Sequence, residues 1–65
     1  MERFKIITVV PAYNEEKTIT NVIKNLKEWS DVIVVDDNST DQTFELAKNN
    51  NAILIKNYKN FGYEK

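Results

Sequence analysis

Cysteine and histidine are both missing from this 65-residue chain, and glycine and proline occur once each. Without cysteine there is neither a disulfide nor a thiolate metal site, which agrees with a reducing compartment. Without histidine, no triad built on a histidine base can form within these residues. The lone glycine, Gly62, excludes a phosphate-cradling P-loop. It also excludes the glycine-rich turn by which dinucleotide-binding domains approach a pyrophosphate. An excess of one charge is lacking too: nine Lys and Arg against ten Asp and Glu leave a net charge of -1. That balance argues against nucleic acid as a partner, because neutralising phosphates requires a basic surface. No apolar run approaches the ~18 residues of a membrane span. The mixed-charge opening Met1-Glu2-Arg3-Phe4-Lys5 does not read as a secretory signal. The expected location is cytoplasmic, either free or at the cytoplasmic face of a membrane.

What remains is the composition of a soluble globular domain, 42% hydrophobic and 29% charged. A chain of this length buries only about 60% of its unfolded surface. Ordering it costs on the order of 100 kcal/mol, at ~1.5 kcal/mol per residue. Residues 1–65 are therefore expected to be the N-terminal, incomplete part of a larger domain.

From about Phe4 to Val10 the residues are almost continuously apolar and β-branched, the pattern of a strand buried on both faces. Pro11 has no N–H and is expected to end the ladder. Asn14 is a good N-cap, and Glu15 and Glu16 favour the positive end of a helix. Ile19, Val22, Ile23 and Leu26 then recur at helical spacing, with Lys24 and Lys27 on the wet side and Trp29 expected to pack under the next turn. Val32 to Val35 reads as a second strand. Ser39 and Gln42 have the spacing of a capping box. Phe44 and Ala47, with Leu46 beside them, give the second helix its apolar face, and Asn49-Asn50-Asn51 can stop it. Ala52 to Ile55 is a third strand, and Lys56 to Lys65 a polar loop dotted with aromatics. The fold class is α/β, in the order β-α-β-α-β. Right-handed crossovers set three parallel strands in the order 3-2-1, half of a doubly wound sheet.

In such sheets ligands bind beyond the carboxyl ends of the strands. Asp36 and Asp37 stand at one end, and Tyr13, Asn14 and Glu15 follow another. An acidic pair before a helix serves most simply to stabilise its dipole. At a crevice, however, a carboxylate is an acceptor-only group. It can take the N3–H of uracil, or the N1–H and amino group of guanine, while adenine and cytosine offer it an unprotonated ring nitrogen. Tyr13 is either a core aromatic or a stacking surface for such a base. Glu15 either favours the helix end or holds a ribose or sugar hydroxyl, and Asn14 reads as a cap. A sugar nucleotide suits the set. Asn38-Ser39-Thr40 matches a glycosylation acceptor formally and is discounted without a secretory signal. Asp37, Asn38 and Asp41 lack the glycine and distal glutamate of a calcium loop.

Three ordered motifs carry a family resemblance: Val9-Val10-Pro11-Ala12-Tyr13-Asn14-Glu15-Glu16, Val34-Val35-Asp36-Asp37-Asn38-Ser39-Thr40-Asp41 and Asn60-Phe61-Gly62-Tyr63. Together they resemble the start of family 2 glycosyltransferases with the Rossmann-like GT-A fold, and most closely those that use dolichyl or polyprenyl phosphate. The resemblance implies inverting transfer from a UDP- or GDP-sugar to a lipid-phosphate or glycan acceptor, with divalent Mg or Mn on the diphosphate. Pro11, Tyr13 and Glu15 match the nucleotide-contacting turn, and Val35 and Asp37 the base-contacting pair. Asp36 has a supporting role, as do Asn60 and Gly62 in the loop near the donor. Glu64 stands where the family often has a small residue. The family's metal-binding Asp-x-Asp and its acidic base do not occur among the 65 residues. The chain alone is therefore expected not to catalyse transfer, since the leaving diphosphate would lack its neutralising charge. The alternatives are a non-catalytic nucleotide-binding module, or a degenerate remnant that needs a partner to fold. The apolar first strand, left uncovered, would favour self-association.

Overall fold

The computed structural model describes residues 5–58. It contains β1 (Ile7–Ala12), α1 (Ile19–Lys27), β2 (Asp31–Asp36), α2 (Thr43–Asn49) and β3 (Ile53–Lys56). The three strands are parallel and lie in the order β1-β2-β3, the expected half of a doubly wound sheet. Both crossovers proceed in the same direction across the sheet, so right-handedness places both helices on one face. Ala12, Ile19, Ile23, Val32, Val34 and Ala47 form the core between helices and sheet, with Val10, Leu26, Leu46 and Leu54 packed against it.

The other face is bare among the described residues. β1 is therefore not buried on both sides: Ile7 and Val9 are more than half exposed, as are Ile53 and Ile55 on β3. Alternation along the strands sends Ile7, Val9 and Pro11 to this open side and Val10 and Ala12 to the helices.

Proline does not end the ladder either. Pro11 lies inside β1, in register with Val35, and Ala12 pairs with Asp36 beyond it. Ile6 and Ala12 turn their carbonyls towards β2, accepting from the N–H groups of Asp31 and Asp37 at 2.9 Å each. Residues between them alternate, so the missing N–H of Pro11 falls on the open edge of the sheet. Proline is tolerated there.

Both helices begin later than the capping signals suggest. Asn14 does not cap α1, since its backbone adopts φ 52°, a left-handed conformation that asparagine tolerates. Glu15 and Glu16 sit in a lead-in turn, where the Glu15 carbonyl accepts from Thr18 at 3.0 Å and Ile19 at 2.8 Å. Ser39 and Gln42 form no capping box. Asp41 performs that task, its Oδ1 accepting from the Thr43 N–H at 2.9 Å and from the Thr43 hydroxyl. α2 stops as expected in the asparagine run, with Asn51 at φ 66°. Trp29 does not pack under its turn and is 59% exposed. The chain leaves α1 at Lys27 and turns on the Leu26 carbonyl, carrying the indole out of the helical stripe.

Candidate functional site

The carboxyl ends of all three strands stop abreast, with Ala12, Asp36 and Lys56 in register. The next residue of each, Tyr13, Asp37 and Asn57, leaves the sheet at the same rim. Tyr13 is 53% exposed, so it is not a core aromatic. Asp37 is half-buried, and its N–H donates to the Ala12 carbonyl at 2.9 Å, which seats it directly beside the β1 tip. The ring and the acid thus issue from neighbouring strand ends. The rim is open, and no enclosed pocket forms among the described residues.

Asp36 points the opposite way, into the interface between sheet and helices, and is fully buried. The Ser39 hydroxyl donates to its Oδ1, and Lys56 Nζ lies 3.3 Å from its Oδ2. A buried carboxylate stripped of its cation would cost several kcal/mol. Lys56 is itself held over the ring of Phe44, 4.8 Å from the centroid, and near that of Tyr58 at 5.8 Å. Adjacent in sequence, the two acids have separate tasks: Asp36 anchors the rim and Asp37 stands on it.

Two loops frame the rim, one after β1 and one after β2, and they are fastened to each other. The Asn14 N–H donates to Ser39 Oγ at 2.9 Å, and Asn14 Oδ1 accepts from the Thr40 N–H at 2.8 Å. The Glu15 N–H donates to Thr43 Oγ1 at 2.8 Å. Glu16 and Asp41 reciprocate across the gap: the Glu16 N–H donates to Asp41 Oδ2 at 3.2 Å, and Glu16 Oε1 accepts from the Gln42 N–H at 3.1 Å. Asp41 is held below the usual carboxylate range. Desolvation opposes its charge, but hydrogen bonds from the Thr43 side chain and backbone and from the Glu16 backbone outweigh that cost.

The structure therefore brings Tyr13 and Asp37 to one rim, with Asp36 buried beneath it, while Glu15 lies in the loop after β1 with its Oε1 accepting from the Thr18 hydroxyl at 3.4 Å. Pro11 and Val35 are register partners one step back, on the bare face, with Ile55 in register beside Val35. Asn60 and Gly62 lie outside the described residues. Asn57 was missed by the sequence reading, which placed it in a loop. Its Nδ2 donates to Asp37 Oδ1 at 3.4 Å, and its N–H donates to the Asp36 carbonyl at 2.8 Å. The strand-end offset it shares with Tyr13 and Asp37 was the available signal.

Among the described residues, no group of three or more acidic side chains is placed to hold a metal ion. Nor is any described helix long and apolar enough to cross a membrane.

The fold and rim define half of an open, Rossmann-type α/β sheet with its polar groups gathered at the carboxyl ends of the strands. Residues 7–65 match the family model for glycosyl transferase family 2, and the chain belongs to that family. It is 45% identical over 60 residues to an uncharacterised protein of Methanocaldococcus jannaschii, covering 89% of this chain and 25% of that one. It is 47% identical over 45 residues to the UDP-N-acetylglucosamine–dolichyl-phosphate N-acetylglucosaminyltransferase of Methanococcus voltae, covering 66% of this chain and 18% of the relative. Among solved structures, glucosyl-3-phosphoglycerate synthase of Mycobacterium tuberculosis in complex with UDP superposes with a TM-score of 0.74 at 37% identity. That match covers 80% of this chain and 21% of the synthase. The same synthase has been solved with Mn2+, UDP-glucose and glycerol 3-phosphate. The chain thus spans a quarter or less of the length of these relatives.

Proposed function

We propose that this chain carries the nucleotide-recognition part of a glycosyltransferase that uses a nucleotide-sugar donor. The observation that carries the reading is the placement of Tyr13 and Asp37 immediately beyond the register partners Ala12 and Asp36. A base stacked on the Tyr13 ring would turn its edge towards the Asp37 carboxylate. An acceptor-only group there favours uracil or guanine, whose ring N–H can donate. The UDP complexes of the similar synthase favour uracil. Pro11 and Val35 supply apolar surface beside the base, and Glu15 is offered to a ribose or sugar hydroxyl. Asp36 supports Asp37 from below, with Asn60 and Gly62 assigned to the loop nearest the donor sugar.

The dolichyl-phosphate relative supports a lipid phosphate as acceptor, and inversion at the transferred sugar is what the resemblance to family 2 glycosyltransferases implies. A divalent metal would neutralise charge on the leaving diphosphate. The described acids do not form a place for it: Asp36 is taken by Lys56 and Ser39, and Asp41 by Thr43 and Glu16. The described residues are accordingly assigned to recognition rather than to the transfer step.

Calorimetric titration of the chain with UDP, GDP and CDP, with and without manganese, tests the reading. UDP is expected to bind more tightly than CDP, and Asp37→Ala to erase that difference at a cost of about tenfold in UDP affinity. Equal binding of UDP and CDP by the unsubstituted chain would overturn it.

A further inference from the structure

We infer that Asn57 is a positioning residue that sets the base selectivity of this rim; the inference rests on the nucleotide reading above. Two consecutive residues at the end of β3, Lys56 within it and Asn57 just beyond, each deliver one donor to the acidic pair at the end of β2. Lys56 reaches Asp36 at 3.3 Å, and Asn57 reaches Asp37 at 3.4 Å. The backbone imposes this division. Asp36 and Lys56 are register partners, so both side chains point into the helix-covered side. The Asn57 N–H then bonds the Asp36 carbonyl at 2.8 Å, which carries the ladder one residue further and leaves the Asn57 amide level with Asp37.

The consequence concerns orientation. A carboxylate past the end of a strand reads a base edge only if one of its oxygens is aimed at that edge. The Asn57 amide presents an N–H to Oδ1 at 3.4 Å, a bond that orients this oxygen relative to the β1 tip that bears Tyr13. Lys56 contributes by neutralising Asp36, so that the buried acid does not push its neighbour out of place. The β3 tip is thus a third element of the site, although neither of its residues need touch the ligand.

The test compares UDP with its N3-methyl analogue, which keeps the ribose and diphosphate and carries a methyl group in place of the proton that Asp37 would accept. Asn57→Asp is isosteric and replaces the donor with an acceptor; Asn57→Ala removes the donor without adding charge. In both variants the preference for UDP over the N3-methyl analogue is expected to fall about tenfold, the worth of one hydrogen bond to a charged group. In Asn57→Ala, which adds no charge, affinity for the analogue itself should stay within about twofold. A purely structural role would weaken both ligands together and leave their ratio intact. An unchanged ratio in the two variants, with circular dichroism confirming the fold of at least one, overturns the inference alone. If the unsubstituted chain does not distinguish the two ligands, the nucleotide reading fails and this inference with it.

Discussion

Two hydroxyls, those of Ser39 and Thr43, each accept from the loop after β1 and donate to a carboxylate of their own segment. Each hydroxyl can do both because it is one donor and two acceptor sites at once. Asp41 anchors the Thr43 half of this arrangement, and its depressed pKa links it to pH. A carboxylate whose folded pKa lies below its unfolded value stabilises the fold above the unfolded pKa. That contribution is lost as pH falls through the folded value. Asp41→Asn is accordingly expected to lower the thermal midpoint at neutral pH and to flatten its decline in acid, so that the two proteins converge at the lowest pH. Thermal melts at several pH values check this. These residues also show where sequence reading stops. Asn14 and Ser39 are good N-cap side chains and Glu16 suits the positive end of a helix, so sequence spacing assigns each to the nearest helix. In the folded chain they bond across the rim to the other loop instead, a choice fixed by which strand tips stand side by side.

At the level of elements, the strands were legible because runs of β-branched apolar residues leave few alternatives. Their parallel direction followed from the helices that connect them. The limits of α1 and α2 were less legible, since competing caps of similar strength lie within a few residues of each other. α2 has seven residues, too few to be stable alone, and owes its place to Ala47 and Thr43, both fully buried. The contribution of an element thus depends on the face it presents. Ile23 of α1 is fully buried against the sheet, whereas Ile53 of β3 is 56% exposed on the bare side. Ile23→Ala is expected to cost about 2–5 kcal/mol. Ile53→Thr, at an exposed strand position, should cost about 0.5 kcal/mol or less. Chemical denaturation of the two variants would show the asymmetry, and equal losses would contradict a one-sided core.

At the scale of the molecule, the described residues form two layers of what is ordinarily a three-layer design. Parallel sheets are generally covered on both faces. Here Ile7, Val9, Ile53 and Ile55 form an apolar surface with nothing over it among the described residues. The sequence pattern predicts a β1 buried on both faces, and among the described residues only its helix side is covered. Such a surface should bind an environment-sensitive apolar dye under native conditions. Val9→Lys combined with Ile53→Lys is expected to remove most of that fluorescence without unfolding the chain, because neither side chain belongs to the core. Fluorescence that survives both substitutions would place the dye elsewhere.

The bonds running from Asn14, Glu15 and Glu16 to Ser39, Thr40, Gln42, Thr43 and Asp41 tie the two rim loops into one body before any ligand arrives. The entropy of setting those turns is spent during folding, so a nucleotide settling there would meet a surface already in its receiving shape. Discrimination between bases would then depend on fit to a fixed template, and a loosened loop would blur it even with every contacting side chain still in place.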